Sequence, residues 1–110
     1  MLLQISVQEH DSTRVVTLSG ECDLATAPQL QETLSGMKGP DVEELIVDLG
    51  GLEFMDSTGL GVLVGALKRM RESGGAFKIA GAKGAVQRVL QVSGLDRIIP
   101  QFPDVESARS

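Results

Sequence analysis

The residues Asp56-Ser57-Thr58-Gly59 set a hydroxyl directly after a carboxylate, where an apolar strand and its short loop give way to an apolar helix. A serine at such a helix N-terminus caps free backbone N–H groups. A phosphate carried there would meet the same donors and the positive end of the helix dipole. To act as a nucleophile, Ser57 would need a histidine base within hydrogen-bond reach and a third group to orient that base. The chain holds one histidine, His10, in the turn Glu9-His10-Asp11-Ser12, and Asp56 is poorly placed to orient a remote imidazole. A hydrolase is therefore disfavoured. Cys22 has no basic neighbour in sequence to stabilise a thiolate and reads as a small core side chain. One His and one Cys cannot build a zinc cage, and the acidic residues lack calcium-loop spacing. No metal and no cofactor is expected.

Glycines near the same serine raise the question of a nucleotide. Gly59, Gly61 and Gly65 spell G-x-G-x-x-x-G, one residue off the dinucleotide fingerprint, and they start about ten residues after the predicted strand rather than in its first turn. The phosphate loop G-x-x-x-x-G-K-[ST] is also missing. What remains is a phosphate bound to a partner and brought to Ser57.

The elements that must position these residues follow from periodicity. Leu3, Ile5 and Val7 alternate with polar residues, Asp11-Ser12 makes a turn, and Arg14-Val15-Val16-Thr17-Leu18 returns, which predicts a β-hairpin. Thr26 with Gln29 resembles a capping box, and Ala27, Leu30, Leu34 and Met37 give the stripe of a helix ending between Gly36 and Pro40. Leu45 to Leu49 reads as a strand buried on both faces. A helix from Ser57 to about Glu72, a strand over 77–80 and a helix marked by Val86, Val89 and Leu90 follow, the last stopping near Gly94. Ile98-Ile99 is expected as a short last strand and Asp104 as the cap of a terminal helical turn. Two strands and then alternating helices and strands predict a small α/β domain over 1–110, with a mixed sheet of four to five strands packed with about four helices. Functional residues are expected in the loops where strands feed helices, and Asp23 and Ser57 both fall there.

In the helix after Ser57, a 100° period gathers Leu60, Leu63, Val64, Leu67 and Met70 on one side and stacks Gly61 and Gly65 on the other. Exposed mid-helix glycine costs about 1 kcal/mol relative to alanine, so the strip beside Val62 and Arg69 suggests close contact with another surface. The competing explanation is a backbone approach inside the domain itself. For Ser57, helix geometry alone gives a plain cap worth about 1 kcal/mol. Phosphorylation would instead add about −1.5 to −2 charges beside Asp56, enough to switch an interface off.

The chain has 110 residues, 42% of them hydrophobic, and a net charge of −5. Such an acidic surface repels nucleic acid and suits a protein partner. Without an internal disulfide or the pattern of a signal peptide, a reducing cytoplasm is the expected home. The apolar stretch from Leu60 to Leu67 is too short to cross a bilayer, so no direct membrane insertion is expected.

Gly20-Glu21-Cys22-Asp23-Leu24, Val47-Asp48-Leu49 and Phe54-Met55-Asp56-Ser57-Thr58-Gly59-Leu60 together resemble a bacterial anti-sigma factor antagonist, a single STAS domain of the SpoIIAA and RsbV type. The last segment is the most specific. The resemblance implies that Ser57 is the acceptor phosphorylated by a cognate anti-sigma factor with serine kinase activity. It makes Asp23 the loop aspartate near that serine, flanked by Glu21 and Thr26. It further implies a partner switch in which the unphosphorylated protein binds the anti-sigma factor and frees the sigma factor. Phosphoserine prevents binding, and a PP2C-type phosphatase restores the active form. The chain is then ligand and substrate, not enzyme. Asp56, Thr58, Gly59, Gly61, Val62 and Gly65 complete the expected docking surface. Cys22 stands where members of the family usually carry a larger apolar residue, and the tail after Asp104 is short. Two other readings stay open: a STAS subunit of a membrane lipid-transport complex, and a partner-switch regulator with an output other than transcription.

Overall fold

The computed structural model describes residues 2–109. Leu3–His10 (β1) and Thr13–Cys22 (β2) form the expected antiparallel hairpin. They are followed by Ala27–Ser35 (α1), Glu44–Met55 (β3), Ser57–Glu72 (α2), Ala76–Ala80 (β4) and Gly84–Ser93 (α3). A 3-10 turn at Leu95–Arg97, a short strand Gln101–Phe102 (β5) and the helical turn Val105–Ala108 (α4) complete the described chain. Strand order is β1-β2-β3-β4-β5, and each pair from β2 to β5 is parallel. The mixed α/β sheet read from the alternation of elements is the one observed.

Alternating side chains of the central strands feed two cores. Val16 and Leu18 of β2, Leu45, Val47 and Leu49 of β3, and Phe77 and Ile79 of β4 meet Leu30, Leu34, Leu63, Met70 and Leu90 of α1, α2 and α3. On the opposite face Val15, Ile46 and Ala80 meet Ala108, with Phe102 and Val105 packed alongside, so the short tail does finish a core. Complete burial of a side chain such as Leu or Ile is worth about 1.5–3 kcal/mol, which makes the apolar run in β3 the anchor of both layers.

Several local expectations change. β3 runs to Met55 instead of stopping at Leu49, because two register shifts against β2, between Thr17 and Ser19 and between Gly20 and Glu21, absorb extra residues. These bulges return Leu52 and Met55 to the core after Gly50-Gly51 breaks the pattern. The glycines of α2 therefore begin directly after a strand, although their spacing still departs from the dinucleotide fingerprint. Ile98-Ile99 is not the last strand: Ile98 ends the 3-10 turn, Ile99 is buried, and the strand begins two residues later at Gln101. Thr26 and Gln29 form no capping box either, since Gln29 Nε2 donates to Leu3 O at 3.1 Å and the Thr26 side chain accepts no N–H from α1. Asp104 caps α4 as expected, accepting from Ser107 N at 2.8 Å.

Candidate functional site

Parallel neighbours end on the same side, so β2 and β3 deliver their following loops to one place. Cys22 lies opposite Met55, and the Asp56 N–H donates to Cys22 O at 3.2 Å. This bond brings the β2–α1 loop against the start of α2 and puts Asp23 near Asp56 and Ser57. The charge effect on Cys22 reports the same closeness. Its thiol is pushed up to about 11, first by burial and then by the charges of Asp56 and Asp23.

The helix start differs from the expectation in one respect that bears on Ser57. Asp56, not Ser57, is the cap: its backbone is extended and its Oδ1 accepts from Thr58 N at 2.9 Å and Gly59 N at 3.2 Å. Aspartate and serine cap equally well, so two adjacent good caps left the boundary ambiguous by one residue. Ser57 is then the first helical residue, exposed, and its hydroxyl makes no hydrogen bond among the described residues. The helix does not need it. A phosphate on Ser57 would find those two N–H donors already engaged, contrary to the simple picture of an open helix terminus.

Across from it, the β2–α1 loop is tied by its own polar groups. Asp23 Oδ1 accepts from Ala25 N and Thr26 N, both at 3.0 Å, and from Thr26 Oγ1 at 3.1 Å. The bond from the Thr26 backbone, foremost, and those from its hydroxyl and from Ala25 hold the Asp23 carboxyl below its ordinary value. Thr26 is buried, accepts from Asp23 N at 2.9 Å and has one hydroxyl proton shared between Glu21 O at 2.9 Å and the Asp23 carboxylate, so it clasps the loop from below and presents nothing outward. Glu21 is half-buried and pairs in register with Phe54.

The face of α2 is rotated from the one read in the sequence. Gly59, Val62, Leu63, Ala66, Leu67 and Met70 are buried, while Leu60 and Val64 are half-buried. Val62 is thus a core residue rather than a docking contact. Gly59 also faces inward: a Cβ there would lie 2.8 Å from Cys22 Sγ and 2.9 Å from Met55 Cγ, so glycine lets the helix start sit on the ends of β2 and β3. Gly61 opens onto free space, with nothing within 4 Å of an added Cβ. Gly65 is partly covered by its own helix, as Arg69 Nη1 would lie 3.3 Å from a Cβ there. Of the three glycines, one serves the fold, one is open and one is shared.

His10 ends β1 opposite Thr13, and Thr13 pairs with Glu44 at the start of β3. The imidazole therefore lies at the end of the sheet remote from Ser57, which removes the serine–histidine pairing that a hydrolase would require.

Two apolar residues of the resemblance segments carry no role in the sequence reading yet reach the surface. Leu24 beside Asp23 is 74% exposed and Phe54 is 43% exposed, so apolar side chains border the polar loop. Leu24 had an available signal, since an apolar residue in a polar loop serves no helical or strand stripe, whereas Phe54 lies within β3. Between α2 and α3 runs an open groove of about 370 Å³, lined by the apolar Met55, Leu60, Val89 and Val92 together with Asp56, Ser57 and Arg88. Val92 is 84% exposed. Arg88 was invisible in sequence because only the packing of α3 beside the start of α2 brings it to the serine.

The STAS domain family matches residues 4–108. The anti-sigma F factor antagonist of Paenibacillus polymyxa is 33% identical over 109 residues, spanning 98% of this chain and 93% of its own length. A solved anti-sigma factor antagonist from Mycobacterium paratuberculosis is 30% identical with a TM-score of 0.88, covering 97% of this chain and 91% of that one. SpoIIAA in its unphosphorylated form shares the fold, with a TM-score of 0.80 at 24% identity over 96% of this chain and 92% of its own.

Proposed function

Because the chain belongs to the STAS domain family, we propose that it works as an anti-sigma factor antagonist whose docking surface surrounds Asp23 and Ser57. The observation that carries this reading is an exposed serine hydroxyl that its own helix does not use, held beside a rigid acidic loop. Unphosphorylated, the surface binds an anti-sigma factor that is also a serine kinase, and the sigma factor is released. Phosphorylation of Ser57 adds about −1.5 to −2 charges where Asp23, Asp56 and Glu21 already stand, and like-charge repulsion ends docking. A PP2C-type phosphatase reverses the change. The protein is ligand and phosphoryl acceptor in this scheme, not enzyme, and it works in the cytoplasm.

Glu21, Asp23, Asp56, Thr58, Gly61 and the open edge of Gly65 serve as contacts, whereas Thr26, Gly59 and Val62 act from beneath by fixing the surface. The names of the relatives favour this reading over a subunit of a lipid-transport complex. Among the described residues no helix is long and apolar enough to cross a membrane. The test is to incubate the protein with its cognate kinase and ATP and locate the phosphate by mass spectrometry. Modification at Ser57 is expected, and an unmodified Ser57 would overturn the proposal. Ser57→Ala should bind the kinase constitutively and Ser57→Asp at least about tenfold more weakly, a difference of about 1.4 kcal/mol.

A further inference from the structure

A phosphoryl group on Ser57 enters a setting in which the next three backbone donors along the helix are already engaged, leaving only the N–H of Ser57 itself. The N–H groups of Thr58 and Gly59 are bound to the Asp56 carboxylate, and that of Leu60 is bound to Asp56 O at 3.1 Å. The carboxylates of Asp56 and Asp23 repel it. Across the groove, Arg88 of α3 lines the same 370 Å³ space as Ser57 and is its one cationic wall. Arg88 is exposed and has no hydrogen bond or ion pair among the described residues, so no existing pair must break to release it. A guanidinium fork matches two phosphate oxygens with parallel N–H···O bonds, which an ammonium cannot do.

We infer that Arg88 is the positioning residue that holds phosphorylated Ser57, bridging α3 to α2 across the groove. The inference rests on Ser57 being the phosphorylation site. The bridge crosses Leu60, Val89 and Val92, so phosphorylation covers an apolar surface in the same event that adds negative charge. A partner side chain that enters this groove is then excluded twice, by charge and by occupancy.

The experiment uses full-length protein with phosphoserine installed at position 57 during translation, so that its outcome does not depend on any kinase. A kinase that leaves Ser57 untouched would defeat the earlier reading and leave this measurement intact. The second ionisation of the phosphoserine is followed by phosphorus NMR in three proteins: wild type, Arg88→Gln, and Lys38→Gln, which removes the same charge from the loop before β3 at the far end of the sheet. Loss of a guanidinium bound to the dianion should raise the titration midpoint by about half a pH unit in Arg88→Gln. Lys38→Gln should leave it at the wild-type value. If Arg88→Gln titrates with the wild type, or moves no further than Lys38→Gln, the inference is overturned.

Discussion

Cys22 shows how one residue reports its surroundings. It is fully buried at the end of β2, and its thiol is pushed up to about 11 by burial and then by Asp56 and Asp23. At neutral pH a thiol-specific chromogenic reagent should therefore find no reactive thiol in the native protein and one after denaturation. The folded thiol holds its proton more tightly than the unfolded one. The stability linked to it is therefore complete below the ordinary value of 9.0 and lost as pH rises toward about 11. Every other ionisable group is common to both proteins, so urea midpoints between pH 8 and 11 should fall more for wild type than for Cys22→Ala. Of the neighbouring pair Asp56 and Ser57, only Asp56 caps the helix. Asp56→Ala removes the acceptor for two backbone donors and should cost about 1 kcal/mol in urea denaturation, whereas Ser57→Ala should cost close to nothing. Sequence alone could place a cap at this junction but could not choose between adjacent residues, because both side chains suit the role.

At the scale of elements, the hairpin, the central strand and α2 were legible because each repeats its own period over many residues. The end of β3 was not: Gly50-Gly51 looks like a loop, and only pairing with β2 shows a strand that bulges and continues. The buried face of α2 was misjudged for a related reason. A hydrophobic count favours Leu60 and Val64, but a helix lies closest to a sheet where its side chains are small, and Gly59 and Ala66 mark that line. The glycines should accordingly respond in opposite senses. Gly59→Ala forces a methyl against Cys22 and Met55 and should destabilise by about 1–3 kcal/mol. Gly61→Ala meets open space and should stabilise by up to about 1 kcal/mol, since alanine suits a helix interior better. Thermal unfolding of the two variants checks both signs. If the open glycine lies under a docked partner, Gly61→Ala should also weaken binding while raising the melting temperature, a combination that a damaged fold does not produce.

Across the whole molecule, the sheet keeps the Asp23 and Ser57 surface and the stabilising polar cluster on separate ends and faces. Glu44, at the start of β3, pairs with Lys78 of β4, their side chains 8% and 14% exposed. Thr13 Oγ1 donates to Glu44 at 2.9 Å, Lys78 Nζ donates to Ala108 O at 2.7 Å, and the ammonium lies 5.5 Å from the centre of the Phe102 ring. One lysine thus links the central strand, the last strand and the terminal turn, on the face opposite α1, α2 and α3. Replacing one member of a buried pair leaves the other desolvated charge poorly compensated, a penalty larger than the pair's own net worth. Lys78→Met should therefore cost roughly 3 kcal/mol, whereas the double change Glu44→Leu with Lys78→Met should recover much of that loss. Denaturant titration measures both, and hydrogen exchange should show the amides of α4 and β5 losing protection first in the single variant. Ser57 stands beyond the opposite end of β3, so at temperatures where the variant remains folded its affinity for the partner should equal that of wild type. Stability would then fall with binding intact, the converse of the outcome expected for Ser57→Asp, which should weaken binding with little loss of stability. A Lys78→Met protein that is folded yet fails to bind would mean that the two ends of the sheet are coupled, and that the switch is not confined to the Asp23 and Ser57 surface.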